Sequence, residues 1–514
     1  MSTNRTTRPG ERDARQRRLY ARSVDRRRIS RYALLALLWA LFAVPKLMQH
    51  ASGQTADLDT GNYHNLAWSI FRGDGFASAI LNRHHLGEHA SPVMVLVALP
   101  YLLWPSAYVL MLLQATAVWA AMTMTLAWAA RELRDAGVEP AGARWAALAV
   151  AAVAILVYPP LLATWNGQFQ PIELAMPLVT LGLLLIATGR TRWLWLVVPL
   201  LLSTRESAVL PAAGLAIYAL LAEKRWRLAI GIAVASLIWG AIAMGVVMPH
   251  FREADRWLHG DYVGWRADWP EKGKYLAVML LGLGPLPFLG RRALVATLAA
   301  APGLVLNVSV DRWTQYGFAG HYDATTAPFL LFAAANGVGW IARKAEQWRG
   351  GVVASGATFA LLLACSLACW GAVGIKTPFQ RFDDWWPSPD GRAAIAEAEV
   401  FAERYRGAVA ITAHHRLGPH VAGRRNYFAE RAGKTKWKNW VWFAESRVRP
   451  GHVFLVLRNP NPLAESHLRA QLQASGRARL IESGDYVEVW MWPADAPPPN
   501  TLEAHDYAAN GYGR

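Results

Sequence analysis

Long apolar runs recur along this chain from residue 32 to residue 375, separated by short segments that carry most of the charge. Eleven of them are candidate membrane spans: 32–49, 106–130, 145–163, 174–189, 193–204, 207–222, 228–248, 275–290, 293–308, 324–342 and 351–375. About 20 apolar residues of helix cross the roughly 30 Å hydrocarbon core, so the pattern predicts an α-helical polytopic membrane protein. The run 92–104 is left out, because about 13 residues make only roughly 20 Å of helix. It is expected to be re-entrant or interfacial. The apolar stretch 193–222 would be about 45 Å long as a single helix, too long for one crossing, so a turn at 203–206 must return the chain.

The pattern changes beyond residue 375. FDDWWPSPDG is followed by a helical stretch at 392–405 and by short apolar runs at 409–412, 453–457 and 486–492. Alternation of helix and strand predicts a small α/β domain. The expected organisation is therefore a basic cytoplasmic tail (1–31), a transmembrane domain (32–375) whose first outer loop is 50–105, an extracytoplasmic α/β domain (376–495) and a disordered tail (496–514).

Composition supports the membrane class: 54% of the 514 residues are hydrophobic and 25 are Trp. The net charge of +17 invites a nucleic-acid reading. Yet the basic residues sit in short clusters between apolar runs and in the first 31 residues, which hold eleven Arg. Positive-inside topology accounts for them, and no nucleic-acid partner is expected. With the basic arm in the cytoplasm, eleven spans put Arg131/Arg134/Arg144, Arg190/Arg192, Lys224/Arg225/Arg227, Arg291/Arg292 and Arg343/Lys344/Arg349 on the same inner side. Only the loop 252–274 dissents. The chain reads as a multi-pass plasma-membrane protein with an uncleaved first span and its C-terminal domain outside. Cys365 and Cys369, the only cysteines, share one apolar helix and are expected to be packing residues.

That register gathers ionisable residues on the opposite, outer face. Asp57, Asp59, His64, His84, His85, Glu88 and His89 lie there, with Glu173, the pair Arg205/Glu206, and Asp311, His321, Tyr322 and Asp323. Such groups beside a membrane are costly and mark function. Structural readings compete with functional ones. Asp59 could cap the helix starting near Thr60, Arg205/Glu206 could be an interfacial ion pair, and His321/Tyr322 could anchor a span. Tyr63, Trp68, Phe71 and Phe76 read as the face of an interfacial helix. The segment 414–425 (HHRLGPHVAGRR) reads as a basic surface loop.

The pattern Asp59-x-Gly61-x-Tyr63-x-Asn65-x-x-Trp68, then Gly87-Glu88-His89-x-Ser91-Pro92, Phe169-x-Pro171-x-Glu173, Arg205-Glu206-Ser207 and His321-Tyr322 resembles the membrane proteins grouped as domain of unknown function 2079. That family in turn looks like the C-type glycosyltransferases (GT-C). The resemblance runs from about residue 50 to 345 and extends into the tail through Pro419-His420 and Arg424-Arg425. It implies a GT-C-like fold, a polyprenyl-phosphate sugar as donor, and an essential acidic residue in the first outer loop, where Asp59 falls. Gln170 and His64 depart from the pattern, standing where the family would have a histidine and an acidic residue respectively.

Moving a sugar from a lipid phosphate to a hydroxyl needs a base for the acceptor proton and positive charge for the departing phosphate. Asp59 is the expected base, with Glu88 and His89 beside it. Arg205 is the expected phosphate ligand, joined by Arg83 or His321 if they approach. Asp57, Tyr63, Asn65, Glu173, Arg205, Glu206, His321 and Tyr322 are expected to bind substrate. Glu88 and His89 could hold a divalent metal ion, although adjacent side chains point apart. The expected partners are the bilayer, the lipid-linked sugar and an envelope glycan, lipid or protein acceptor. A transporter would place its ionisable residues near mid-membrane on broken helices, and a noncatalytic envelope scaffold would not need Asp59, Glu88 and Glu206.

Overall fold

The structure is a computed structural model of the full chain, and it describes residues 32 to 492 apart from 79–82, 139–140, 253–267, 311–312, 319, 348–350, 376–385, 387, 409, 415, 430–450 and most of 459–477. The basic arm, most of the dissenting loop and the tail after 492 thus lie outside the described residues.

Helix occupies every apolar segment expected from the sequence. Among the described residues, four helices are long and apolar enough to cross a membrane: Tyr32–Ala51, Tyr108–Asp135, Trp226–His250 and Arg291–Ser309. Pro171–Ala187, Thr191–Leu202, Glu206–Leu221 and Leu363–Val373 are shorter apolar helices. The expected return at 203–206 is present: the helix Leu194–Leu202 ends, and a single helical turn, Glu206–Ala208, starts the next. At the centre, Tyr108–Asp135 packs against Ala327–Gln347 and Ala175–Ala187. Trp128 stacks on Phe332 there. Arg343 reaches the buried Glu132 at 2.9 Å, pairing two helices at one end of the bundle.

The first helix feeds a five-residue π-helical turn, Asp57–Gly61, and the helix Asn62–Phe71. That second helix is enclosed rather than laid flat at an interface: Tyr63, Leu66 and Ala67 are buried against Met94, Val97 and Tyr101. The run expected to be re-entrant forms two short pieces, Met94–Ala98 and Leu99–Leu102, far too short to span. Its other side stays apolar and open at Leu99, Leu102 and Leu103.

The C-terminal part carries the expected helix, Pro389–Arg404, and a five-stranded sheet in the order Tyr427–Ala429, Ala410–Ala413, His452–Leu457, Val487–Met491, Arg479–Ser483. The first three strands are parallel to one another and the last two join antiparallel. Three strands coincide with the apolar runs. Tyr427–Ala429 and Arg479–Ser483 do not, because they are edge strands without a continuous apolar run.

Candidate active site

The centre of the site is Arg205, placed on extended backbone between two apolar helices. Its Nη2 lies 2.7 Å from Nε2 of His89 and its Nη1 3.2 Å from Nε2 of His321. Its Nε lies 3.4 Å from Oε1 of Glu206. A guanidinium can only donate, so both imidazoles present Nε2 as acceptor and carry their proton on Nδ1. The Nδ1 of His89 then donates to Oε1 of Glu206 at 3.1 Å, while the amide of Ala90 donates to Oε2 at 3.1 Å. Three sequence blocks more than 100 residues apart therefore converge on one cation. Glu206 is more than an exposed interfacial partner. It is buried and orients both His89 and Arg205.

Local backbone supports this placement. His321 opens a single helical turn, His321–Asp323, that follows Gly320 at φ 96° and Phe318 at φ 52°. A non-glycine residue in the left-handed region is strained, which is the usual mark of a functional turn. The turn is pinned from below. Asp323 accepts from the hydroxyl of Tyr275 at 2.7 Å and from Asn307 at 3.3 Å. The Tyr322 ring packs tilted beside His321, with centroids 4.3 Å apart, and its carbonyl faces Asn307 at 3.5 Å.

Asp59 sits in the π-helical turn, and it does not cap the following helix, whose N-terminal residue Gly61 offers no side-chain cap. Its Oδ1 accepts a hydrogen bond from Nε2 of Gln170, and Oε1 of the same amide accepts from the Tyr63 hydroxyl at 2.8 Å. Gln168 fastens the same turn, its Oε1 accepting from the amides of Ala56 at 2.9 Å and Thr60 at 3.2 Å. Burial pushes the Asp59 carboxyl up to about 6, while the Gln170 hydrogen bond and the nearby Arg205 charge hold it down. A carboxylate poised there is a competent base near neutral pH.

Other expected site residues take different places. Glu173 is fully buried, closing a capping box with the backbone of Gln170 and accepting from Gln114 at 3.0 Å. It supports the Asp59 partner from behind. Asn65 donates to the carbonyls of Ala422 at 2.8 Å and Arg424 at 2.9 Å in the C-terminal part. Glu88 lies close enough to act electrostatically on Tyr63 and His85. The side chains of Asp57 and Arg83 lie outside the described residues. Both nitrogens of His89 are already engaged, and no group of three or more His, Cys, Asp or Glu among the described residues is arranged to hold a metal ion. The residues present do not fit the metal that Glu88 and His89 suggested.

Two participants, the amides Gln168 and Gln170, carry no ionisable signal in the sequence, while His85 and Asp323 stand among the ionisable residues without an assigned role. The His85 ring is fully buried, 5.5 Å from Tyr63 and 6.2 Å from His89, and burial pushes it down to about 3. Of the two amides, only Gln170 is marked, by its departure from the family pattern.

Comparisons with known proteins bear on the family and the fold. The family described as predicted membrane protein, domain of unknown function 2079, matches residues 49–474. No curated protein matches the chain. Among solved structures, ArnT from Cupriavidus metallidurans in the apo state aligns with a TM-score of 0.50, over 92% of this chain and 100% of that one, at 13% identity. The same protein bound to undecaprenyl phosphate aligns with a TM-score of 0.49, over 92% of this chain and 99% of that one, also at 13% identity. At such identity the likeness is one of fold.

Proposed function

The chain belongs to the domain of unknown function 2079 family of predicted membrane proteins, and on that premise we propose that it is an integral membrane glycosyltransferase of the C type. It moves a sugar from a polyprenyl-phosphate donor to a cell-envelope acceptor on the extracytoplasmic face. The observation that carries this reading is the Arg205 cation held by His89, His321 and Glu206 within Coulombic reach of Asp59. The donor class is the one that the resemblance to C-type glycosyltransferases implies, and the likeness of fold to ArnT supports it.

The chemistry needs two devices in one place. As the acceptor oxygen bonds to the anomeric carbon, its proton passes to the Asp59 carboxylate. The bond from that carbon to the phosphate oxygen breaks, and the electron pair leaves with the lipid phosphate. Arg205 meets that growing charge with a planar fork of donors that two neutral imidazoles keep in orientation. His89 and His321 orient the cation without cancelling it. Glu206 fixes His89 and limits the net positive charge around Arg205. Tyr63 and Gln170 keep the base directed into the site.

The test is direct. Reconstituted protein given a polyprenyl-phosphate sugar labelled in the sugar, with an envelope fraction as acceptor, should transfer label and release polyprenyl phosphate in equal amounts. Absence of both from active-folded protein across the common envelope sugars contradicts the proposal.

A further inference from the structure

The segment 414–425, expected to be a basic surface loop, instead reaches the turn that carries Asp59 through its residues 418–424. It forms the short helix Gly418–Val421, which packs directly on Asp57–Gly61. The chain leading into the turn is held first: the His420 ring stacks on His50 with centroids 4.1 Å apart, and His50 faces the Thr55 hydroxyl at 2.8 Å. The chain leaving the turn is held next, by the two hydrogen bonds from Asn65 to the carbonyls of Ala422 and Arg424. Gly423 permits this approach, since a Cβ there would stand 2.9 Å from Nε2 of His64. Farther out, Arg425 grips Asp74 with both nitrogens of its fork.

From this we infer that the C-terminal domain is a working part of the site: its segment 418–424 clamps the Asp59 turn against Gln168 and Gln170, so that the domain positions the base. The inference rests on the proposed transferase reading for its kinetic test but not for its structural one. The turn has five residues and a π-helical hydrogen-bond pattern, an uncommon geometry that the surrounding structure must over-determine. Gln168 and Gln170 hold one side. The clamp holds the other. Asn65, His420 and Gly423 are thus positioning residues, acting on Asp59 through the turn that carries it.

Two full-length variants test the clamp: Asn65→Leu, which removes both interdomain hydrogen bonds, and the milder Gly423→Ala, which pushes a methyl group at His64. Each should lower kcat by about 10- to 100-fold, because small displacements of a reacting group cost that much, with the donor KM changed little. The pH profile separates positioning from mere loss of folded protein. Asp59 faces Tyr63, Gln170, Glu173 and Arg205, and the acidic limb set by its carboxyl near 6 should move toward the ordinary carboxylate range as the freed turn becomes solvated. Denatured enzyme lowers the rate without moving that limb. Hydrogen exchange at residues 57–61 should rise in both variants. An unchanged limb in the variants that turn over, or unchanged exchange at 57–61 in either variant, overturns the clamp. If wild-type protein transfers no sugar, the transferase reading fails while the exchange measurement still decides the clamp.

Discussion

Nη2 of Arg205 and Nε2 of His89 stand 2.7 Å apart although 116 residues separate them in the chain. That contact requires a neutral His89 and leaves the guanidinium charge uncancelled by it. Replacing Arg205 by Lys keeps a positive charge but loses the planar fork that both imidazoles hold. Sugar transfer should fall by about 10²-fold, the order expected for one removed charge-stabilising donor. Steady-state rates on a lipid-linked donor check this.

Glu206 secures the other side of the same contact. With Glu206→Ala the largely buried Arg205 loses its carboxylate and His89 its acceptor, so a destabilisation of about 3–5 kcal/mol is expected. Glu206→Gln keeps an acceptor and should cost less. Thermal unfolding of both variants in the same detergent gives the ranking, and equal midpoints would refute it.

Gln170 stabilises the ionised form of Asp59 by donating to it. Gln170→Leu removes that donor while burial remains, so the carboxyl must rise above about 6. The acidic limb of the rate profile should move to higher pH. This is the opposite direction from the shift expected when the clamp is released.

How much of this was legible in the sequence depends on where each residue's partner sits. Asp59, Arg205, Glu206 and His321 could be read from their own segments, because an ionisable residue at the edge of an apolar run is conspicuous wherever it occurs. The use of Asn65 could not be read. Its partners lie more than 350 residues away and are backbone carbonyls, which no residue type announces. Gln168 and Gln170 are ordinary amides until the fold brings them to the 57–61 turn. At Glu88 and His89 the sequence shows that an imidazole is available but not that its nitrogens meet Glu206 and Arg205.

The buried imidazoles at the clamp give it a pH dependence with a definite sign. Burial pushes His420 down to about 4, and burial with the nearby His420 and Arg424 pushes His64 to about 3. Between roughly pH 6.5 and these values the unfolded chain binds protons that the folded chain refuses, so these groups stabilise the fold fully above about 6.5 and less as pH falls. Asp59 acts in the opposite direction between 3.8 and about 6. A paired comparison isolates the histidine: His420→Phe retains a ring on His50, and its stability deficit or gain relative to wild type should drift in its favour from pH 7 to pH 4. A constant difference would contradict the assignment.

The expected sidedness is testable with single reactive cysteines in a background where Cys365 and Cys369 are replaced. Ser483→Cys lies on an exposed strand of the C-terminal sheet and Arg190→Cys on an exposed turn of the opposite expected side. An impermeant thiol reagent applied to intact cells should label the first and spare the second. The reverse pattern would place Asp59 on the cytoplasmic face.

The central claim is that Asp59 is the base of a polyprenyl-phosphate-dependent sugar transfer, and Asp59→Asn tests it most directly. The substitution preserves shape and a hydrogen-bonding oxygen for Gln170 but cannot take a proton from an acceptor. The account predicts that the purified variant still binds a polyprenyl-phosphate sugar through Arg205 and transfers none of it, at least 10³-fold below wild type by the upper range of base and charge effects, about 10²–10⁴. Transfer by Asp59→Asn at a rate close to wild type would contradict it.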